Sequence, residues 1–188
     1  MAKIDTFRAN LAGGGARPSQ FEVNLIFPFW VQDGSGASSA GKFLINAATL
    51  PSSVISSIEV PFRGRIAKIA GERQFANWNV TVLNDNDFYI RRALERWSKG
   101  ILEHSETKGM VSPNSYTTQM QVHQLDRNDR KIKSYQFYNC FPQNIQEIQL
   151  DFGATSRIEE FQVEFSVDYW ETDEAINAGG ISDFGQFM

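Results

Sequence analysis

The chain has 188 residues, of which 41% are hydrophobic, 13% aromatic and 21% charged, and its formal net charge is −4. This length and apolar content can bury the core of one domain and exclude a chain that is disordered throughout. The small acidic excess argues against tight nucleic-acid binding, which needs clustered lysine and arginine. Because no apolar run has the length of a membrane span or a signal peptide, we expect neither membrane insertion nor export.

Residues 1–17 are predicted to form a flexible N-terminal segment, because the Gly-rich stretch 11–17 offers little to pack. A strand over 20–29 follows, since apolar side chains occupy every second position from Phe21 to Phe29. The small and polar residues of 33–41 predict an exposed loop, which is either a contact loop or a linker.

The next segment contains β-prone runs at 43–47, 54–62 and 65–70, which predict a strand and then a long hairpin. Another strand, over 78–82, ends at 84–87, where four Asn and Asp residues are good helix N-caps. Apolar residues at helical spacing then predict a helix with one buried face; they are Ile90, Leu94, Trp97 and Ile101.

The rest of the core, up to residue 171, is again β-prone. Strands at 118–125 and 131–140 flank an Asx-rich turn and predict a hairpin, and further strands are predicted at 145–152 and 160–170. Seven or eight strands and a single helix predict a mainly β fold, an antiparallel barrel or sandwich with one α-helix and extended loops. Trp78 and Trp97 are expected in its core.

Patterns for catalysis or metal binding are not found in the sequence. Cys140 has no partner for a disulfide or a zinc site, and its apolar neighbours indicate a buried thiol in a reducing compartment. His123 follows Gln119 and Gln121 on a polar strand face, which favours a solvated side chain over a catalytic triad. The acidic residues of 85–87 suit helix capping better than calcium binding. We therefore predict a chain that is not an enzyme and that holds no cofactor or metal.

A row of carboxylates, Glu160, Glu164 and Asp168, shares one face of the last strand with Gln162 and Ser166. Same-face neighbours on a strand are about 6.8 Å apart. The row has three interpretations: a general acid and base pair of a hydrolase, a solvent-facing strand, or the polar wall of a channel that repels a DNA backbone.

Several segments, taken together and in chain order, resemble the tail tube protein family of contractile-tailed bacteriophages. They are ARPSQFEVN at 16–24, ATLP at 48–51, RGRIAKIAGER at 63–73, WNVTVLND at 78–85, NIQEIQLD at 144–151 and FQVEFSVDYWE at 161–171. The resemblance implies that 18–171 form a single tube domain with the β-barrel of that family. Residues 172–188 extend past the usual end of the family and are predicted to be a C-terminal extension.

What the resemblance implies about function is a structural subunit of the inner tail tube, in which hexameric rings stack around a channel that delivers genome DNA. The implied partners are further copies of the chain, the tail sheath protein, the baseplate and tail terminator proteins, and the tape measure protein and DNA in the lumen without specific binding. The implied location is the virion tail, assembled in the host bacterial cytoplasm. Two other readings stay open: the tube of a related contractile injection system, and a monomeric ligand-binding β-barrel.

Within the tube interpretation, joining the edge strands of neighbours removes unpaired backbone groups and favours a closed ring. Candidate ion pairs of the subunit or ring interface are Arg63, Arg65, Glu72, Arg73, Asp85 and Asp87. Each could instead be a solvated charge worth about 0 to 1 kcal/mol. The hairpin tip at 61–65 and the loop at 33–41 are candidate contacts to other rings or to the sheath. The lumen is expected to be lined by one of two faces: Gln162, Glu164, Ser166 and Asp168, or else Gln119, Gln121 and His123.

Overall fold

The computed structural model describes residues 4–10, 15–104 and 108–173. In this part of the chain the helices are α1 (Ile4–Asn10), α2 (Gly34–Leu44), α3 (Tyr89–Ile101) and α4 (Pro113–Tyr116). The strands are β1 (Phe21–Asn24), β2 (Ile45–Ala48), β3 (Ser53–Phe62), β4 (Arg65–Phe75), β5 (Trp78–Leu83), β6 (Thr118–Leu125), β7 (Lys131–Ile145), β8 (Glu160–Ser166) and β9 (Tyr169–Thr172). The prediction of a mainly β, antiparallel fold is confirmed, whereas most of the predicted C-terminal extension, 174–188, lies outside the described residues.

One seven-stranded antiparallel sheet forms the body of the domain, in the order β1-β6-β7-β8-β5-β2, and β9 pairs with β7. β7 is 15 residues long and pairs with β6 and β9 over its first part and with β8 over its last. The predicted hairpin at 118–140 is therefore correct. β1 and β2 are the two ends of this strand order, and β3 and β4 form a separate two-stranded sheet.

The core lies between the apolar face of the sheet and helix α3. Trp78 and Trp97 are 1% and 0% exposed, as predicted, and the Trp78 ring stacks on Phe137 with 4.4 Å between centroids. Each indole N–H is satisfied by a carbonyl: Trp78 donates to Thr49 and Trp97 to Tyr116, both at 2.8 Å. The aromatic residues that would line the cavity of a ligand-binding barrel thus pack against one another.

The prediction of a loop at 33–41 and of a single helix is wrong, because 34–44 form helix α2. Its small residues are packing residues: Gly34, Ala37 and Gly41 are buried. A Cβ at Gly34 would lie 2.9 Å from the Cβ of Phe27, so only glycine fits this approach. Tertiary packing therefore overrides the low helix propensity of glycine and serine.

Three predicted strands differ from the structure: one is shorter, one is a loop and one is divided into two strands. The strand predicted at 20–29 is paired only over β1, and Phe29 is 98% exposed. The strand predicted at 145–152 is wrong: β7 ends at Ile145, the following residues run as a loop, and the carboxylate of Asp151 accepts the Gly153 N–H at 2.8 Å to form a turn. The strand predicted at 160–170 divides into β8, beside β5 and β7, and β9, which crosses to β7.

Candidate assembly surfaces

The residues of the β3–β4 hairpin are almost all exposed to solvent. Its ladder runs from the Ser53 and Phe75 pair to the Phe62 and Arg65 pair. The tip has two residues with positive φ, Arg63 at 47° and Gly64 at 80°, the backbone pattern of a tight two-residue hairpin turn. The predicted long hairpin is therefore confirmed.

The side chains of this hairpin leave a large apolar area in solvent. On one face Ile58 lies opposite Ile69, and Val60 lies opposite Ala67. Seven apolar side chains are between 40% and 65% exposed: Val54, Ile55, Ile58, Val60, Phe62, Ile66 and Ile69. Contiguous exposed apolar residues of this kind mark a surface that another molecule covers.

The base of the hairpin is anchored to β9. The indole N–H of Trp170 donates to the Ser52 carbonyl at 3.4 Å, and its ring meets Phe75 edge to face with 5.9 Å between centroids. After two intervening residues, Ala76 and Asn77, the chain enters β5 at Trp78. The hairpin therefore leaves the body at the Trp78 end of β5.

The six candidate interface residues fall at three places rather than one. Arg63 and Arg65 lie at the hairpin tip, and Glu72 and Arg73 lie on β4 closer to its base. Asp85 and Asp87 follow β5 at its other end, before helix α3. Within the described residues none of the six forms an ion pair with another. Asp85 has a local role, because its Oδ1 accepts the backbone N–H of Tyr89 at 3.0 Å.

The first candidate lumen face is the outer side of β8, opposite the buried Phe161, Val163 and Phe165. Gln162 is exposed, while Glu164 and Ser166 are half-buried. The amide of Asn77 donates to Glu164 Oε1 and to Gln143 Oε1, both at 2.8 Å. Asp168 does not share this strand: it lies in the bend before β9, where it accepts a hydrogen bond from Asn139 at 2.7 Å.

The second candidate lumen face, on β6, contains one buried residue. Gln119 is exposed and accepts a hydrogen bond from Gln136 at 2.8 Å. His123 is only 5% exposed, so the prediction of a solvated histidine is wrong. Its Nδ1 lies 2.9 Å from Ser134 Oγ and its Nε2 lies 3.3 Å from Asn24 Nδ2.

The electrostatic surroundings of His123 disfavour its charged form. Burial lowers its pKa from the ordinary value of 6.5, and the positive charge of Lys131 lowers it further. Glu22 and Asp173 act in the opposite direction but less strongly. The imidazole is therefore a neutral hydrogen-bonding group between strands at neutral pH.

Groups with catalytic potential are engaged in structural contacts. Glu160 accepts hydrogen bonds from Asn46 at 3.1 Å and from Arg157 at 3.4 Å. Burial raises the pKa of the Cys140 thiol to about 12, so the thiolate is scarce and the predicted buried cysteine is confirmed. Among the described residues no group of three or more His, Cys, Asp or Glu side chains could hold a metal, and no helix is long and apolar enough to cross a membrane.

An open groove that was not predicted from the sequence lies toward the Leu83 end of β5. It has a volume of about 510 Å³ and is walled by the loop after β7 and by the start of β8. Four carboxylates line it, Glu147, Asp151, Glu159 and Glu160, against one cation, Arg157. The sequence signal for this groove is the recurrence of acidic residues between 147 and 160. The strand wrongly predicted at 145–152 concealed that most of these residues belong to one loop.

Comparison with known proteins identifies the family of this chain. The phage tail tube protein family matches residues 16–173, which include both sheets, the hairpin and the acidic groove. The fold and its exposed surfaces thus belong to a structural class of tail proteins. The chain belongs to the phage tail tube protein family.

Individual relatives agree with this family. The chain is 29% identical over 168 residues to the tail tube protein gp19 of Enterobacteria phage T4, covering 89% of this chain and 98% of that protein. It is 24% identical over 163 residues to the tail tube protein of Serratia phage KSP90, covering 86% of this chain and 92% of that protein.

Solved structures share the fold at low sequence identity. A chain of the sheath/tube terminator of an extracellular contractile injection system matches with a TM-score of 0.61 and 13% identity, covering 84% of this chain and 96% of that one. The tube terminating cap of the anti-feeding prophage matches with a TM-score of 0.58 and 16% identity, covering 84% and 90%.

Proposed function

We propose that this chain is the subunit of the inner tube of a contractile phage tail, and that six copies form each ring of a hollow stack through which genome DNA passes. The observation that carries the proposal is the family match over 16–173, nearly all of the described domain. The family is structural, which supports a role that requires assembly and no catalysis.

The free ends of the seven-stranded sheet support assembly into closed rings. The seven-stranded sheet ends in β1 and β2, whose outer backbone groups can pair with a neighbouring copy. When each copy contacts the next through two different edges, a ring forms if the rotation closes. The exposed hairpin then remains for contacts between rings.

The partners follow from the same role. Structures that share the fold include a sheath-tube complex and a baseplate of contractile injection systems, which supports contacts with a sheath and a baseplate. We place the chain in the virion tail, assembled in the host cytoplasm, with a tail terminator at the far end of the tube. The tape measure protein and then DNA would occupy the lumen without specific binding.

The lumen wall is proposed to be the outer face of β8, with Gln162, Glu164 and Ser166. Amide, hydroxyl and carboxylate groups there offer a phosphate backbone no cation to bind. On β6 the buried His123 is not available to a channel, which leaves less polar surface on that face.

Negative-stain electron microscopy and light scattering of the purified protein, over a range of concentrations and with tail baseplates added as seeds, test this proposal. We expect rings or tubes with an open centre. A chain that stays monomeric even with seeds would contradict it.

A further inference from the structure

We propose that the tip of the β3–β4 hairpin of one copy docks into the acidic groove, against its loop wall at 146–160, of a second copy in the next ring. The inference rests on the proposed stacking of rings and names the two surfaces that meet. Its evidence is the charge, the exposed apolar residues and the placement of these two parts of one chain.

The charges of the two surfaces are opposite. The tip carries Arg63 and Arg65, and within the described residues neither forms an ion pair, although Arg63 lies over the Phe62 ring at 5.3 Å. In the groove, Arg157 pairs with Glu160 at 3.4 Å. Within the described part of the chain, the donors to the other three groove carboxylates are uncharged: Gln149 donates to Glu147, the Gly153 N–H to Asp151, and Asn84 to Glu159.

Both surfaces also expose apolar side chains that an isolated subunit leaves in water. Phe62 and Ile66 beside the tip are 65% and 62% exposed. On the loop that walls the groove, Leu150, Phe152 and Ile158 are 83%, 110% and 65% exposed. Contact between them would remove apolar area from water beside the charged pairs, and specific interfaces combine a buried apolar part with polar contacts at the rim.

The base of the hairpin and the acidic groove lie toward opposite ends of the β5–β8 strand pair. The hairpin leaves the body at the Trp78 end of β5, where Trp78 lies opposite Phe165. The groove lies toward the other end, where Leu83 is opposite Glu160, about 17 Å away along the strand. Contact between two different surfaces of the subunit is head-to-tail and can repeat without closing, as a stacked tube requires.

A charge exchange between two variants tests the contact. The variant R63E/R65E has an acidic tip and an acidic groove, and E147K/D151K has a basic tip and a basic groove. We expect each alone to form rings whose stacking needs at least about tenfold more protein than wild type, because like charges meet. An equimolar mixture should form tubes at the wild-type concentration with the two variants in alternate rings. Far-UV circular dichroism confirms that each variant is folded.

The matched control is R127E/R130E, which makes the same change of charge on the β6–β7 turn and should stack as wild type does. Normal tubes from R63E/R65E alone, or a mixture that fails to restore tubes, would overturn the inference while the tube function stands. Loss of the rings themselves in R63E/R65E would also overturn it, since the hairpin would then act within a ring. If wild type forms no rings or tubes, the proposed function fails first.

Discussion

The carboxylate of Asp85 accepts a hydrogen bond from the backbone N–H of Tyr89, with 3.0 Å between Oδ1 and N. Tyr89 is the first residue of helix α3, and the preceding Phe88 has φ of 52°. Asp85 thus satisfies one of the amide groups that every helix leaves free at its start. This side chain of the Asn84 to Asp87 cluster is a structural cap, as the sequence indicated, and its carboxylate is already engaged within the subunit.

Replacing Asp85 with alanine should lower the free energy of unfolding by about 1 kcal/mol, the usual value for a lost N-terminal capping bond. Asp85→Asn keeps an acceptor and should lose less. The matched control is Asp87→Ala, an exposed residue for which we expect a change within about 0.5 kcal/mol. Urea unfolding of the dilute, unassembled chain measures all three. Equal losses for Asp85→Ala and Asp87→Ala would contradict the capping role.

Helix α2 provides a second test, because its glycines have different surroundings. At Gly34 a Cβ would lie 2.9 Å from the Cβ of Phe27, so Gly34→Ala should destabilise the fold by about 1 to 3 kcal/mol through overpacking. At Gly41 the nearest atom is Leu25 Cδ1 at 3.7 Å, an ordinary contact. Gly41→Ala should therefore be neutral or stabilise the chain by up to about 1 kcal/mol.

Thermal and urea unfolding of the two variants give the comparison directly. If 33–41 were the exposed loop that its composition predicts, both alanines would be tolerated equally. A clear loss for Gly34→Ala beside no loss for Gly41→Ala is the result that the packed helix requires.

These glycines also explain why part of the fold could be predicted and part could not. Alternation of apolar residues predicted β5 and β8 because each strand buries one face, and the period of Ile90 to Ile101 predicted helix α3 for the same reason. Small residues carry no such signal. The same Gly, Ala and Ser suit a loop and a helix packed closely on Phe27, and only the tertiary contact decides between them.

Of the candidate surfaces, the hairpin could be predicted from the sequence and the acidic groove could not. The hairpin with Arg63 at its tip follows from local β-prone runs and a turn. The groove does not, because Glu147 and Glu159 are brought together by the path of the chain between β7 and β8. The burial of His123 was also beyond the alternation pattern, since its strand face is covered by long-range contacts with Asn24 and Ser134.

His123 predicts a specific dependence of stability on pH. Its pKa in the folded chain is lower than the unfolded value of 6.5, so between these two values the unfolded chain binds more protons. Its contribution to stability is therefore complete above pH 6.5 and declines as the pH falls through that value, until the folded pKa is reached. Urea unfolding between pH 5.5 and 8 should show this loss.

The His123→Gln variant should remove most of the pH dependence in that interval, whereas His104→Gln, at an exposed position, serves as the control and should retain it. If the pH dependence of stability disappears in His104→Gln and persists in His123→Gln, the assignment of this pH dependence to His123 is wrong. Glu22, Lys131 and Asp173 also face this site.

The proposed lumen wall makes the last prediction, which concerns charge on the outer face of β8. Gln162 is exposed there, and Gln162→Lys would place a cation on the channel wall without breaking a hydrogen bond of the described side chains. Six copies in every ring would then attract the phosphate backbone, so tails should assemble but eject DNA more slowly, with a delay that shrinks at high salt. Glu164→Lys should act in the same direction but also lose the hydrogen bond from Asn77, so it should additionally lower subunit stability.

The control for this experiment places the same charge on the other candidate face. Gln119 is exposed on β6, and Gln119→Lys changes the net charge by the same amount as Gln162→Lys. Ejection in virions carrying each variant can be followed with a DNA-binding dye over a range of salt concentrations. A salt-sensitive delay for Gln162→Lys alone supports the β8 face, whereas the same delay for Gln119→Lys alone would assign the channel wall to β6, because only a cation that meets the passing DNA can retain it.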